Sequence, residues 1–268
     1  MAAITIDRLV LRSRQSFFAT YLTAILTVAV LSTPVSSVAA QEICKGVAMG
    51  AGTVAGVRDG RTILLADGRE VRLAGIEVGE EARATLLSLV GNRSLRLEQL
   101  GPERDRYGRL VALAYTDDQL PSVQQMMLEK GRARVSARVG DKACADALLR
   151  AERAARAAHL GLWSDPNFAP LRSHDTARIA AARGEFALIE GRVLSVRESG
   201  ATIYLNFGRR WTRDFTVTIP KRVRRDFAAA GIDPKQIEGR PVRIRGWVEQ
   251  RTGPVLEAVV PEQIELTQ

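Results

Sequence analysis

A chain of 268 residues, 46% hydrophobic and 26% charged, is ordinary globular material with room for one large core or two modest ones. Those proportions exclude a collagen-like, disordered or wholly membrane-embedded chain. A formal net charge of +9, with a pI of about 10.2, favours a polyanionic partner, nucleic acid or an acidic lipid surface, without choosing between them.

The chain opens with Arg8, Arg12 and Arg14, an uncharged and largely apolar run of fifteen residues from Phe17 to Leu31, and small residues at Val38-Ala39-Ala40 ahead of Gln41. That order predicts a secretory signal peptide over residues 1–40. The apolar run falls short of the roughly 20 residues that span a bilayer, so cleavage is expected, with no stable membrane insertion afterwards. Ser13 separates Arg12 from Arg14, which does not indicate the twin-arginine route. Cutting after Ala40 removes three arginines and one aspartate, leaving +7 of the +9 on an exported, periplasmic or secreted protein. In an oxidising compartment Cys44 and Cys144 are expected to be bridged. His159 and His174 lie outside any ligand spacing, so neither a zinc cluster nor a histidine metal site is expected.

After the leader a β-meander is predicted: Gly52 to Val57, Asp59-Gly60, Thr62 to Leu65, Asp67-Gly68, then Glu70 to Ile76. Asp-Gly between alternating apolar runs is a strong hairpin signal. In the third strand, alternation puts Val71, Leu73 and Gly75 on one face and Arg72, Ala74 and Ile76 on the other. Glu80 to Leu89 has helical spacing with acids in its first turn and stops near Gly91-Asn92. Ser94 to Leu100 and Leu110 to Tyr115 alternate as strands around the Arg104–Arg109 turn. A second helix runs from Pro121 to Gly131, its Met126 and Met127 expected as core filler, and a third from Ala143 to His159 stops before Trp163.

In order and residues these elements resemble the thermonuclease family, the staphylococcal nuclease-like domain, over about residues 50 to 165. The likeness rests on Asp59-Gly60-Arg61-Thr62, Val71-Arg72-Leu73-Ala74-Gly75-Ile76, Glu80, Asp105-Arg106-Tyr107-Gly108-Arg109, and Glu152 through Trp163. It implies a five-stranded OB-type barrel with three helices, an α+β fold that is mainly β. By the same resemblance Arg72 and Arg109 bind the reacting phosphate, Glu80 is the general base or water-positioner, and Tyr107 and Arg106 contact substrate. The departures imply that calcium binding is weakened. Arg61 stands where the family places a calcium-binding Asp, Glu77 replaces a shorter acidic ligand, and Val78-Gly79 replaces Thr-Pro. The lysine-rich loop after the glutamate is also missing.

Beyond Trp163 the texture changes. Residues 166–188 read as a linker with a short helix near Ala177 to Arg183, and residues 189–268 as a second, smaller OB-like barrel of three strands, a helix and two strands. Arg209, Arg210, Arg213, Lys221, Arg222, Arg224 and Arg225 gather near its middle, interleaved with Tyr204, Phe207, Trp211 and Phe215. Base stacking beside a phosphate-tracking groove and simple barrel packing both fit that mixture.

The expectation is therefore an exported monomer: a thermonuclease-like domain over 41–165 that binds and hydrolyses nucleic acid, DNA or RNA, in single-stranded form, followed by the second barrel. A catalytically silent module binding nucleic acid, another polyanion or a protein through the same surfaces is the alternative.

Overall fold

The computed structural model describes Cys44, residues 46–116, residues 121–136, Val139 and residues 142–267; the expected leader, residues 1–40, lies outside the described residues. The first part runs β1 (Val47–Asp59), β2 (Thr62–Leu65), β3 (Glu70–Leu73), β4 (Ile76–Val78), α1 (Ala82–Val90), β5 (Ser94–Arg104), β6 (Leu110–Tyr115), α2 (Val123–Glu129), β7 (Ala133–Val135) and α3 (Lys142–Ala157). Five strands close a barrel in the order β1-β2-β3-β6-β5, antiparallel except for the parallel pair β3–β6. Alternation drives this closure: Ile63, Leu65, Val71, Leu73, Leu95 and Leu97 all point into one core. Each such side chain contributes about 1.5–3 kcal/mol on burial, against the entropy of ordering the strands.

Both Asp-Gly hairpins form, for different reasons. Gly68 takes the left-handed conformation, with φ of 84°. Gly60 does not, and is needed instead for space, since a Cβ there would lie 2.6 Å from the Cβ of Ala82. The third strand departs from the expected Glu70 to Ile76 run. It ends at Leu73, and Gly75, with φ of 75°, turns the chain out of the barrel into β4, which pairs with β7 so that Glu77 faces Arg134 in register. Ala74 and Ile76 therefore do not continue the face that carries Arg72; both are buried. A residue in the left-handed region breaks period-2 alternation, which depends on uninterrupted extended backbone.

The helices fall within two or three residues of their expected bounds. Glu80 and Glu81 precede α1 rather than filling its first turn, with Glu81 at the cap position and no side-chain cap bond. Ser122 starts α2 by accepting the Gln125 N–H at 3.2 Å, and Met127 is fully buried as core filler. A disulfide joins Cys44 to Cys144, tying the approach to β1 to the first turn of α3.

The second part runs β8 (Leu171–Arg172), α4 (Thr176–Ala181), β9 (Phe186–Arg192), β10 (Ser195–Ser199), β11 (Thr202–Asn206), β12 (Thr216–Pro220), α5 (Arg224–Ala229), β13 (Pro241–Gln250), β14 (Pro254–Glu257) and β15 (Ile264–Leu266). Its sheet follows β10-β11-β12-β14-β13-β9-β8, with β15 on β13. Because β9 and β10 are successive halves of one extended segment, the path returns to its starting segment and repeats the circuit of the first barrel, down to a parallel β12–β14 pair. This is the second, smaller OB-like barrel. The stretch read as a linker is knitted into it. Leu171 and Arg172 pair in parallel with Ile189 and Glu190, and Ile179 of α4 is fully buried in the second core. The prolines at 166 and 170 gave this stretch the local texture of a loop, while its apolar residues found partners outside the window.

The two barrels belong to one compact unit. Ala155 and Trp163 of the first part form a small buried cluster with Phe186 and Leu188 of the second. Beside it Arg245 of β13, fully buried, donates to both oxygens of the fully buried Glu152 of α3, at 2.8 and 3.1 Å, and to the Val135 carbonyl at 3.1 Å. Glu152 also accepts the Val135 N–H at 2.6 Å. Glu265 pairs with Arg245 from the other side. Burial alone would raise the Glu265 carboxyl, but Arg245 and Arg243 hold it below its ordinary value of 4.5. Charges this deep persist only when paired and hydrogen-bonded, so the seam is specific as well as apolar.

Candidate functional site

Two turns and one strand set the arginines. Arg72 sits in β3 between Thr62 of β2 and Val111 of β6. With Val71 and Leu73 buried in the core, its side chain leaves by the other face. Arg109 ends the turn between β5 and β6, and Asp105 builds that turn. One carboxylate oxygen of Asp105 accepts the N–H groups of Tyr107 at 2.9 Å and Arg109 at 3.1 Å, and the other accepts Arg109 Nε at 2.8 Å. Burial opposes ionisation of Asp105, but Arg109 and those N–H groups outweigh it and hold the carboxyl below the usual range. The guanidinium is thereby aimed before any ligand arrives.

A hydrogen-bonded chain links this turn to the one at Asp59. Arg109 Nη1 donates to Thr62 Oγ1 at 3.3 Å, and the Thr62 hydroxyl, fully buried, donates to Asp59 Oδ2 at 3.0 Å. The other oxygen of Asp59 accepts the Arg61 N–H at 2.8 Å. Arg61 turns inward and forms an ion pair with Glu77, whose second oxygen lies 3.6 Å from Arg72 Nη2. Burial and then the neighbouring Arg61 charge lower the pKa of Arg72 below its ordinary value, with Arg109 adding and Glu77 and Asp105 opposing. Arg61, Arg72 and Arg109 thus lie among three carboxylates, Asp59, Glu77 and Asp105, with Arg72 the guanidinium least closely paired, its nearest carboxylate oxygen being 3.6 Å away.

These groups line a cleft of about 930 Å³ that also takes residues from the second barrel, Trp247, Glu249 and Glu257 among them. Arg106 and Tyr107 stand at its edge. The Tyr107 ring is 67% exposed, with the Arg106 and Arg109 guanidiniums 4.8 and 5.1 Å from its centre. The structure therefore brings Arg72, Glu77, Arg106, Tyr107 and Arg109 together. Glu80 is not among them. It is exposed in the turn before α1, does not line the cleft, and makes no hydrogen bond or ion pair among the described residues.

Residues 67–165 match the family model described as staphylococcal nuclease homologue. Protein ParB of Escherichia coli is 31% identical over 133 residues, covering 43% of this chain and 73% of that protein. Micrococcal nuclease of Shigella flexneri is 32% identical over 133 residues, covering 43% and 75%. The chain belongs to the staphylococcal nuclease homologue family. The SPbeta prophage-derived endonuclease YokF of Bacillus subtilis is 36% identical over 88 residues, 32% of this chain and 29% of that protein. The matched family region takes in β3, β6 and the Asp105 turn, and so both Arg72 and Arg109.

Against that family background, the donor set does not fit the calcium ion that the resemblance implies. Glu77 is occupied by Arg61, whose guanidinium also lies 3.5 Å from the Ile76 carbonyl, and Asp59 is engaged by Thr62 and the Arg61 N–H. A divalent ion about 5 Å from that guanidinium would be repelled by roughly 6–7 kcal/mol at an effective dielectric of 20. Hard cations need several oxygen ligands, and these already have partners.

The aromatic and basic stretch of the second barrel is divided by its structure. Phe215 is fully buried and Phe207 packs on it with ring centres 5.1 Å apart, so these two build the core. Lys221, Arg224 and Lys235 gather around Glu198, at 3.1, 3.9 and 3.3 Å. Trp211 remains 66% exposed. Sequence reading missed Arg245 and Trp247, since alternation along β13 was visible but nothing local said which face met the first barrel.

Proposed function

We propose that the protein binds single-stranded nucleic acid in the arginine cleft and hydrolyses its phosphodiester bonds. The observation that carries this reading is the convergence of Arg72 from β3 and Arg109 from the β5–β6 turn on one cleft, with Asp105 pre-aiming Arg109. The names of relatives, a micrococcal nuclease and an endonuclease, support it. In the reaction Arg72 and Arg109 neutralise charge developing on the phosphorane. By the family resemblance Glu80 positions or deprotonates water, a role that requires it to swing in from the exposed turn before α1, where it lies outside the cleft. With Glu77 held by Arg61 and Asp59 engaged by Thr62, turnover is expected to be at most weakly dependent on metal.

We further propose that the protein is exported, to the periplasm or beyond. The basic, apolar and small-residue order of residues 1–40 and the Cys44–Cys144 bridge both suit an oxidising compartment. A binding-only module is the second reading, favoured by the exposure of Glu80 outside the cleft. The deciding assay incubates the protein with labelled single-stranded DNA and RNA, with calcium and with chelator. Cleavage in chelator that falls on Arg109→Ala sustains the hydrolase reading; tight binding without cleavage under either condition leaves the binding module.

A further inference from the structure

The cleft has a second wall that carries no cation and one large exposed aromatic. The first barrel contributes Arg61, Arg72, Arg106 and Arg109 together with Asp59, Glu77 and Asp105, whereas the second contributes Trp247, Glu249 and Glu257. Along β13 the neighbours Gly246 and Val248 are buried in the second barrel, which by alternation turns Trp247 outward. Trp247 is 49% exposed. Its aromatic neighbour Phe186 meets it at 6.0 Å and 74°, an edge-on contact that covers at most one face of the indole. A lone exposed Trp is ordinary, but one that shares a cleft with clustered arginines meets the two requirements of a nucleotide, charge for phosphate and a flat apolar surface for base.

The electrostatics orient the ligand. All the arginines of the lining come from the first barrel and the second offers no cation there, so phosphate is drawn to the first wall, which leaves the base to face the second barrel. We propose that Trp247 is a base-stacking residue of the cleft, holding one unpaired base of a strand whose phosphate rests on Arg72 and Arg109. This rests on the nucleic-acid reading of the cleft given above. It makes the second barrel part of the binding site. It also supplies a reason for single-strand preference: a base inside a duplex has both faces covered by its neighbours and offers none to Trp247.

The test uses the full chain and a cleavage-resistant phosphorothioate single strand, alongside a strand of equal length that is abasic throughout. Trp247→Ala and Trp247→Leu should each weaken binding of the base-bearing strand by about 5- to 150-fold, the range for losing one stacked base. Trp247→Phe should retain most of the affinity, and none of the three should change binding of the abasic strand. Arg109→Ala should weaken both strands. Because Leu and Phe each keep apolar bulk against Phe186, that pair decides the matter even where Ala disturbs folding. Equal affinity of Trp247→Leu and wild type for the base-bearing strand would overturn the stacking role while leaving the arginine cleft intact. So would a loss by Trp247→Leu that extends equally to the abasic strand. Binding of neither strand by the wild-type protein would overturn the nucleic-acid reading and the stacking role together.

Discussion

The two barrels follow one circuit, yet all the arginines that line the 930 Å³ cleft come from the first, and the contrast sits in equivalent strands. In the first, β3 alternates, with Val71 and Leu73 buried and Arg72 partly exposed on the opposite face. In the second, the equivalent β12 is buried at every position from Thr216 to Pro220. The circuit sets where strands lie and which pair is parallel; the open face of one strand, and the turn that aims Arg109 beside it, decide whether charge reaches a ligand. Fold and site are separable, and the second barrel contributes to the site through a different strand, β13.

The sharpest way to break the comparison is to part the barrels. Arg245→Met removes the fully buried partner of Glu152 and Glu265, leaving Arg156 to the one and Arg153 and Arg243 to the other, and should cost up to about 3–5 kcal/mol of unfolding free energy in denaturant titration. Adding Glu152→Gln and Glu265→Gln should recover much of it. The Glu265 carboxyl is held below 4.5, so its contribution is complete above that value and disappears as pH falls through the lowered folded value. Thermal melts of wild type and Arg245→Met should therefore converge in acid. A constant gap from about pH 7 down to about pH 3 would show that the pair does not carry the seam.

Within the first barrel, Arg109→Ala should cut cleavage by about 10²- to 10³-fold, equivalent to about 2.7–4 kcal/mol, with the circular dichroism unchanged. Glu80→Gln should fall comparably. Wild-type rates in both would move the site elsewhere. Reduction of the Cys44–Cys144 bridge, which closes a separation of 100 residues, should lower stability by about 2–4 kcal/mol. An unshifted denaturant midpoint in reductant would show that the N-terminal segment adds little to the barrel.

Smaller effects sharpen the contrast between the walls of charge. Arg61→Asp frees Glu77 and adds an oxygen ligand, and calcium should then stimulate cleavage on the order of tenfold where it has no effect on wild type. Micromolar calcium binding by the unaltered protein in calorimetry would contradict the ion pair. Replacing Arg222, Arg224 and Arg225 with Gln should reduce the salt dependence of single-strand binding, by at most about 0.7 in slope for each phosphate that is no longer neutralised. Arg224 already faces Glu198, so the smaller part of that range is expected.

Much of this molecule was legible before any coordinates. Hairpins at Asp59-Gly60 and Asp67-Gly68, the strand carrying Arg72, the Asp105 to Arg109 turn, three helices and the cysteine pairing all depend on short-range signals or on compartment chemistry. The break after Leu73 was less legible, because Val71 to Ile76 alternates whether or not Gly75 turns. Residues 166–188 looked like a connector because Leu171 and Ile179 find their partners in strands and a core assembled from later sequence.

By itself the sequence determined the strands, hairpins and helices, since period-2 burial and turn glycines act locally, and the motifs it carries supplied the family resemblance that implies the barrel and the pair of arginines. Only the tertiary structure decided where the charges point: Arg61 onto Glu77, Glu80 out of the cleft, Arg245 across to Glu152 and Trp247 into the wall. The physical reason is that these outcomes turn on close contacts between residues from 16 to 93 positions apart, as with Arg61 and Glu77 or Arg245 and Glu152. Burial and Coulomb energy over a few ångströms favour them, and no local window of the chain contains both partners.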